Sequence, residues 1–144
     1  MFASGAARKT YWAVVKGAPE GREGRIEAPL RKVSDRTGWH MVADPDGQAA
    51  ITEWRLRGSN GRMSWLECFP RTGRTHQVRA HCALLGCPVL GDPVYADGEG
   101  RLHLLARAIH LPLDPPLDAT AEPPPHMREA LAACGWIRPP SPPP

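Results

Sequence analysis

A chain of 144 residues, 42% hydrophobic and 23% charged, has material for one ordinary domain with its own core and too little for two. No apolar run reaches the length of a membrane span. The first residues also lack the charged start, long apolar run and cleavage site of a secretory signal, so the expectation is a soluble, cytoplasmic protein with no membrane partner. The net charge of +3 excludes a polybasic or strongly acidic character, yet the basic residues are unevenly placed: Arg55, Arg57, Arg62, Arg71, Arg74 and Arg79 face a single acid, Glu67, over that stretch.

In chain order, RKTYWAVVK at 8–16 is rich in β-formers and is followed by the loop-like GAPEGREG, which predicts a strand and then a loop. A short extended piece is expected from Arg25 to Leu30, broken at Pro29. WHMVA at 39–43 predicts another strand, and DPDG at 44–47 a turn. In AAITEWRLRG, Thr52, Trp54 and Leu56 alternate with Glu53, Arg55 and Arg57. After GSNG at 58–61 the β-rich RMSWLECF resumes, so the pair reads as a hairpin.

Beyond Pro70 the period changes. From Thr75, a suitable N-cap, HQVRAHCALLG places Val78, Cys82 and Leu85 at i, i+4 and i+7 and stops at Gly86, predicting an amphipathic helix of about three turns. PVLGDPVYADGEG is a turn-laden connection. LHLLARAIHLPL is apolar enough for a buried strand, or for a short helix and strand, and HMREALAACG at 126–135 can form a short terminal helix. Residues 136–144 read as a Pro-rich disordered tail.

RTGRTHQVRAH at 71–81 holds three arginines and two histidines and no acid. Arg71 and Arg74 precede the helix start, where free N–H groups and the positive dipole end favour an anion, and arginine's planar fork suits phosphate. Arg79 lies off the Val78/Cys82/Leu85 stripe and faces something other than the core. On these residues alone, an anion-facing corner and an ordinary helix start with exposed arginines both remain open. Cys68, Cys82, Cys87 and Cys134 are expected to be reduced and partly buried. Cys82 and Cys87 with His76 and His81 lack the short ligand spacing of a zinc site, so no metal is expected. No P-loop, dinucleotide turn, nucleophile elbow or HExxH pair occurs.

The run TGRTHQVRAHCALLGCPVLGDPVY resembles the signature near the end of the RluA-type pseudouridine synthases, which isomerise uridine to pseudouridine in ribosomal or transfer RNA. KTYWAVVKG resembles that family's Lys-x-Tyr strand, GRIEAPL its Gly-x-Ile-x-x-Pro-Leu segment, AAITEWRL the strand before the hairpin, and LHLLARAIHLP the strand after the helix. The matches keep the family's order over roughly residues 2–135. The resemblance implies an α/β catalytic domain over residues 1–135, with a mixed, largely antiparallel sheet, packed helices, no cofactor, and RNA (rRNA or tRNA) as the partner. It implies that Tyr11 lies against the target base and that Arg79 pairs with the catalytic aspartate. Arg71, Arg74 and His76 become candidates for RNA contact. Asp92 and Tyr95, in GDPVY, look like structural members of the motif, and Asp92 is not taken for the nucleophile.

The family's nucleophile is an aspartate in a His-Arg-Leu-Asp-x-x-Thr-Ser-Gly motif ahead of the Lys-x-Tyr strand, and that string is absent from these residues. The chain alone is therefore expected to be inactive and incomplete at its N-terminus, and a buried Arg79 would lack its ionic partner. The favoured expectation is a reading begun downstream of the true start. The alternatives are a non-catalytic RNA-binding remnant or a half-enzyme served by a separate chain. Such a chain is expected to be marginally stable or to self-associate.

Overall fold

The computed structural model describes residues 7–140; the final residues of the Pro-rich tail, 141–144, and residues 1–6 lie outside it. Strand β1, Arg8–Lys16, occupies the middle of a six-stranded sheet because both its faces are apolar: Trp12, Ala13, Val14 and Val15 are all buried. A strand buried on both sides loses the polar alternation of an outer strand and needs neighbours on each edge. Those neighbours are β6, Met63–Pro70, and β7, Leu104–Leu111, both antiparallel to β1. Outward lie β5, Ile51–Ser59, and β2, Glu23–Glu27, on one side, and β8, Leu117–Thr120, on the other. The order is β2-β5-β6-β1-β7-β8, and every pairing among the described residues is antiparallel.

The pleat sorts the core into two layers. Ala13, Val15, Leu66 and Cys68 face helix α1, Gln77–Leu84, and meet its Val78 and Cys82. Trp12, Val14 and Trp65 face the other way, against Met127 and Leu131 of helix α2, Pro125–Ala133. Each fully buried aliphatic side chain in these layers contributes roughly 1.5–3 kcal/mol. The domain is thus an α/β sandwich with one helix on each face of a largely antiparallel sheet.

The β5–β6 hairpin forms as its alternation predicts, with the Asn60 side chain accepting from the N–H groups of Arg62 and Met63 in the turn. LHLLARAIHLPL resolves as strand β7. The four cysteines are buried free thiols. A separate two-stranded hairpin, β3, Leu30–Asp35, with β4, Gly38–Ala43, is rooted by Leu30 and Met41 against Ala50 and Ala80.

Three expectations change. Helix α1 has eight residues rather than three turns, and its N-cap is His76 rather than Thr75, because Thr72 and Gln77 organise the preceding turn. Strands β3 and β8 were not legible: their residues are mostly exposed and carry no strict apolar alternation. Part of the expected tail is ordered, since Trp136 packs on the α2 layer and its N–H donates to the Leu131 carbonyl at 2.9 Å.

Candidate active site

Tyr11 and Arg79 lie far apart in sequence but line one open cavity of about 260 Å³, with Lys9, Arg74, His76 and Leu104 among its other walls. Tyr11 reaches it because odd-numbered residues of β1 face α1, and a register shift between Thr10 and Tyr11 interrupts the pairing with β7 at that point. Arg79 reaches it from the second residue past the start of α1. A second cavity of about 290 Å³ shares Lys9 and Tyr11 and continues along β7 and β8.

Arg79 is not without an acid. Its Nε and Nη2 donate to the two oxygens of Asp92 at 2.9 and 2.8 Å, a bidentate pair in which Asp92 is fully buried and the arginine side chain only 14% exposed. This overturns the expectation of an unpaired Arg79. Burial pushes the Asp92 carboxyl upward. Hydrogen bonds from Arg79 and from the backbone N–H groups of Val94 and Tyr95 outweigh it and hold Asp92 below the usual carboxylate range, ionised. The hydrogen bonds to Asp92 correspondingly raise the Arg79 guanidinium above its ordinary value. With both oxygens engaged and no exposed surface, Asp92 cannot approach a substrate carbon, which fits its reading as a structural member of the turn.

His76 carries a left-handed backbone, φ 53°, an uncommon conformation for a residue with a side chain. Its ring stacks on Trp39 of β4 at 4.6 Å between centroids, and its Nδ1 is 3.2 Å from the Tyr95 hydroxyl. Burial, then the nearby Arg79 charge, lowers its pKa and favours the neutral imidazole, whose Nδ1 shares a hydrogen bond with the Tyr95 hydroxyl. The Tyr95 hydroxyl in turn accepts from the Met41 N–H at 2.9 Å, tying the β3–β4 hairpin to this corner.

The candidate residues do not all converge. Arg74 lines the cavity and its Nε donates to the Ala49 carbonyl at 2.8 Å. Arg71 points to a different surface, where it pairs with Glu53 at 2.9 Å beside Gly24 and Trp54. The 71–77 turn reverses direction, so two arginines three residues apart diverge.

Sequence reasoning missed the buried polar network beneath this corner. The Thr72 hydroxyl donates to Gln77 Oε1 at 2.6 Å, and Gln77 Nε2 donates to the Ile51 carbonyl at 2.9 Å and to Thr52 Oγ1 at 3.0 Å. The Thr52 hydroxyl donates to His81 Nδ1 at 2.7 Å, and His81 Nε2 donates to the Ala28 carbonyl at 3.0 Å. The Ala28 carbonyl can only accept, so it fixes the tautomer. The available signal was Gln77 and His81 at i, i+4, two polar residues on one helix face.

Comparison with known proteins bears directly on this arrangement. The family described as RNA pseudouridylate synthase matches residues 1–84, more than half of the chain. The chain belongs to that family. An uncharacterized RNA pseudouridine synthase of Zymomonas mobilis is 45% identical to this pseudouridine synthase family member over 96 residues, covering 65% of this chain and 44% of the relative. The ribosomal large subunit pseudouridine synthase D of the same organism is 37% identical over 110 residues, 76% of this chain and 34% of the relative. The solved human RNA pseudouridylate synthase domain containing 4 superposes with a TM-score of 0.74 at 24% identity, over 88% of this chain and 62% of that one, a likeness of fold. The chain spans less than half the length of the first curated relatives it matches.

Proposed function

We propose that these residues form the base-facing and RNA-facing part of a pseudouridine synthase active site acting on uridine in ribosomal or transfer RNA. The observation that carries the reading is the convergence of Tyr11 and an Asp92-clamped Arg79 on one cavity. In this reading Tyr11 stacks on a flipped uracil, Arg79 presents its remaining N–H groups to a carboxylate or phosphate, and Arg74 and His76 contact the strand beside them. Arg71, on the other surface, contributes to RNA binding only if the strand wraps that far. The carboxylate that breaks the glycosidic bond comes from outside these residues, from a longer form of the protein or from a separate chain. No cofactor is required in this scheme. No helix among the described residues is long and apolar enough to cross a membrane. Cytoplasmic residence belongs to the same proposal, although a rice relative 44% identical over 94 residues is named as mitochondrial.

Isomerisation replaces the C5–H bond of uracil by the new carbon–carbon bond, so release of tritium from RNA labelled at uridine C5 reports it. The chain alone is expected to bind RNA without release, and addition of a segment carrying the His-Arg-Leu-Asp motif is expected to start release. Persistent silence with that segment bound would count against the enzymatic reading. One observation favours the second reading, an RNA-binding chain without conversion: Asp92 already occupies Arg79 through two hydrogen bonds. That reading expects affinity that falls steeply with salt and no release under any complementation.

A further inference from the structure

Trp39 is the feature the proposed chemistry leaves unused. It stands near the tip of the β3–β4 hairpin, 38% exposed, although the root of that hairpin is locked by buried Leu30 and Met41. The neighbouring tip residues Asp35, Arg36, Thr37 and Gly38 are exposed. Its ring is not part of any of the buried clusters. Its contacts are of another kind. The His76 ring stacks on it with an interplanar angle of 23°, and the Lys32 ammonium lies 4.4 Å from its centroid.

Each contact has a physical implication. His76 lines the cavity and holds an uncommon backbone conformation with no side-chain cap bond to the helix, so its geometry gives nothing to helix capping. Non-glycine residues kept in the left-handed region cost free energy that surrounding contacts must offset, and such residues cluster at ligand sites. Here the result is an imidazole aligned with an indole, extending the cavity wall outward as a flat aromatic surface. A lysine over an indole is held by the ring's quadrupole, and on an exposed side chain that hold is weak. It is also easily exchanged for another flat π system, with the ammonium free to meet a phosphate.

Resting on the reading of this cavity as an RNA site, we infer that Trp39 is a second base-binding element. A nucleobase adjacent to the uridine in the cavity stacks on the Trp39 face now covered by Lys32, and Lys32 moves to the neighbouring phosphate. The ligand is single-stranded RNA, since only unpaired bases offer an open π face beside a flipped nucleotide. No bond is made or broken in this step.

The test is fluorescence anisotropy of a labelled oligouridylate of about twelve nucleotides with the intact chain, alongside thermal melts of each variant. Trp39→Ala is expected to weaken binding about tenfold while Trp39→Phe stays within about threefold, and the salt slope of Trp39→Ala should match the parent because stacking releases no counterion. Lys32→Ala is expected to lower that slope by about 0.7. Trp39→Leu, which keeps apolar bulk without the ring, replaces the alanine variant if the latter fails to melt cooperatively, with the same expected loss. Parent-like affinity in the alanine or leucine variant overturns the inference alone. Absence of oligouridylate binding by the parent chain overturns it together with the RNA reading beneath it.

Discussion

Arg79, which lines the cavity, and the fully buried Asp92 form a two-pronged ion pair, 2.9 and 2.8 Å, and Asp92 also caps the N–H groups of Val94 and Tyr95. One carboxylate thus fixes the orientation of the arginine and the conformation of the loop after α1. Replacing Asp92 by Asn removes the charge and leaves the Arg79 guanidinium largely buried without compensation. Breaking a buried pair from one side costs about 3–5 kcal/mol, so Asp92→Asn is expected to lower the urea midpoint markedly. A midpoint equal to the parent's would show that the pair contributes little.

Gly91 makes that aspartate's placement possible. Its φ is 74°, and a Cβ there would fall 2.0 Å from the Arg101 carbonyl oxygen, a backbone atom that cannot swing aside. Gly91→Ala therefore combines an unfavourable backbone conformation with a clash, and the expected loss is about 2–4 kcal/mol. The alanine variant should show lower stability and weakened RNA binding together, because Asp92 and hence Arg79 are displaced. Unchanged chemical shifts around Arg79 in that variant would contradict the link between the glycine and the site.

The elements that carried the fold in the sequence were those whose two faces differ. Thr52, Trp54 and Leu56 announced β5 by alternation, and Val78 and Cys82 announced α1 by their spacing. β8 has no buried residue, so nothing in its pattern distinguishes it from a loop; it is held by backbone pairing with β7 and by the His110–Asp118 side-chain contact across that pair. The family pattern brought Tyr11 and Arg79 forward as candidates, and the structure puts both on one cavity, whereas the Arg79–Asp92 pair was not legible. It depends on the loop after α1 folding back on the helix to join residues thirteen apart in sequence, a separation at which no periodicity connects the two. Likewise the divergence of Arg71 from Arg74 follows from the turn at Thr72, whose hydroxyl is bound by Gln77, and not from their spacing.

His81 makes the fold sensitive to acid. It is fully buried, and burial, partly opposed by its bond to the Ala28 carbonyl, lowers its pKa below the ordinary histidine value. The unfolded chain then takes up a proton that the folded chain resists, so stability is complete above about pH 6.5 and falls as the pH drops from there toward the depressed folded value. His76, also lowered, adds in the same direction. Between pH 7.5 and 5.5 the expected change is a loss of stability, carried mainly by the fully buried His81. His81→Gln should be less stable at neutral pH yet lose less over this interval, and urea titrations at the two pH values compare the slopes. Equal slopes would remove His81 from the account.

The two arginines of the turn offer the sharpest test of which surface meets RNA. Arg74 lines the cavity, while Arg71 is paired with Glu53 on another surface and is therefore already partly neutralised. The Arg71–Glu53 pair is exposed, so its loss should change stability little. If RNA enters the cavity, Arg74→Ala removes a cation from its path and lowers the slope of log affinity against log salt by about 0.7, the value for one phosphate of a single strand. Arg71→Ala should leave that slope within error. Filter binding of a uridine-rich single strand across a salt series measures both. The reverse outcome, a loss with Arg71→Ala and none with Arg74→Ala, would move the RNA path off the Tyr11 cavity and onto the outer face of β2 and β5.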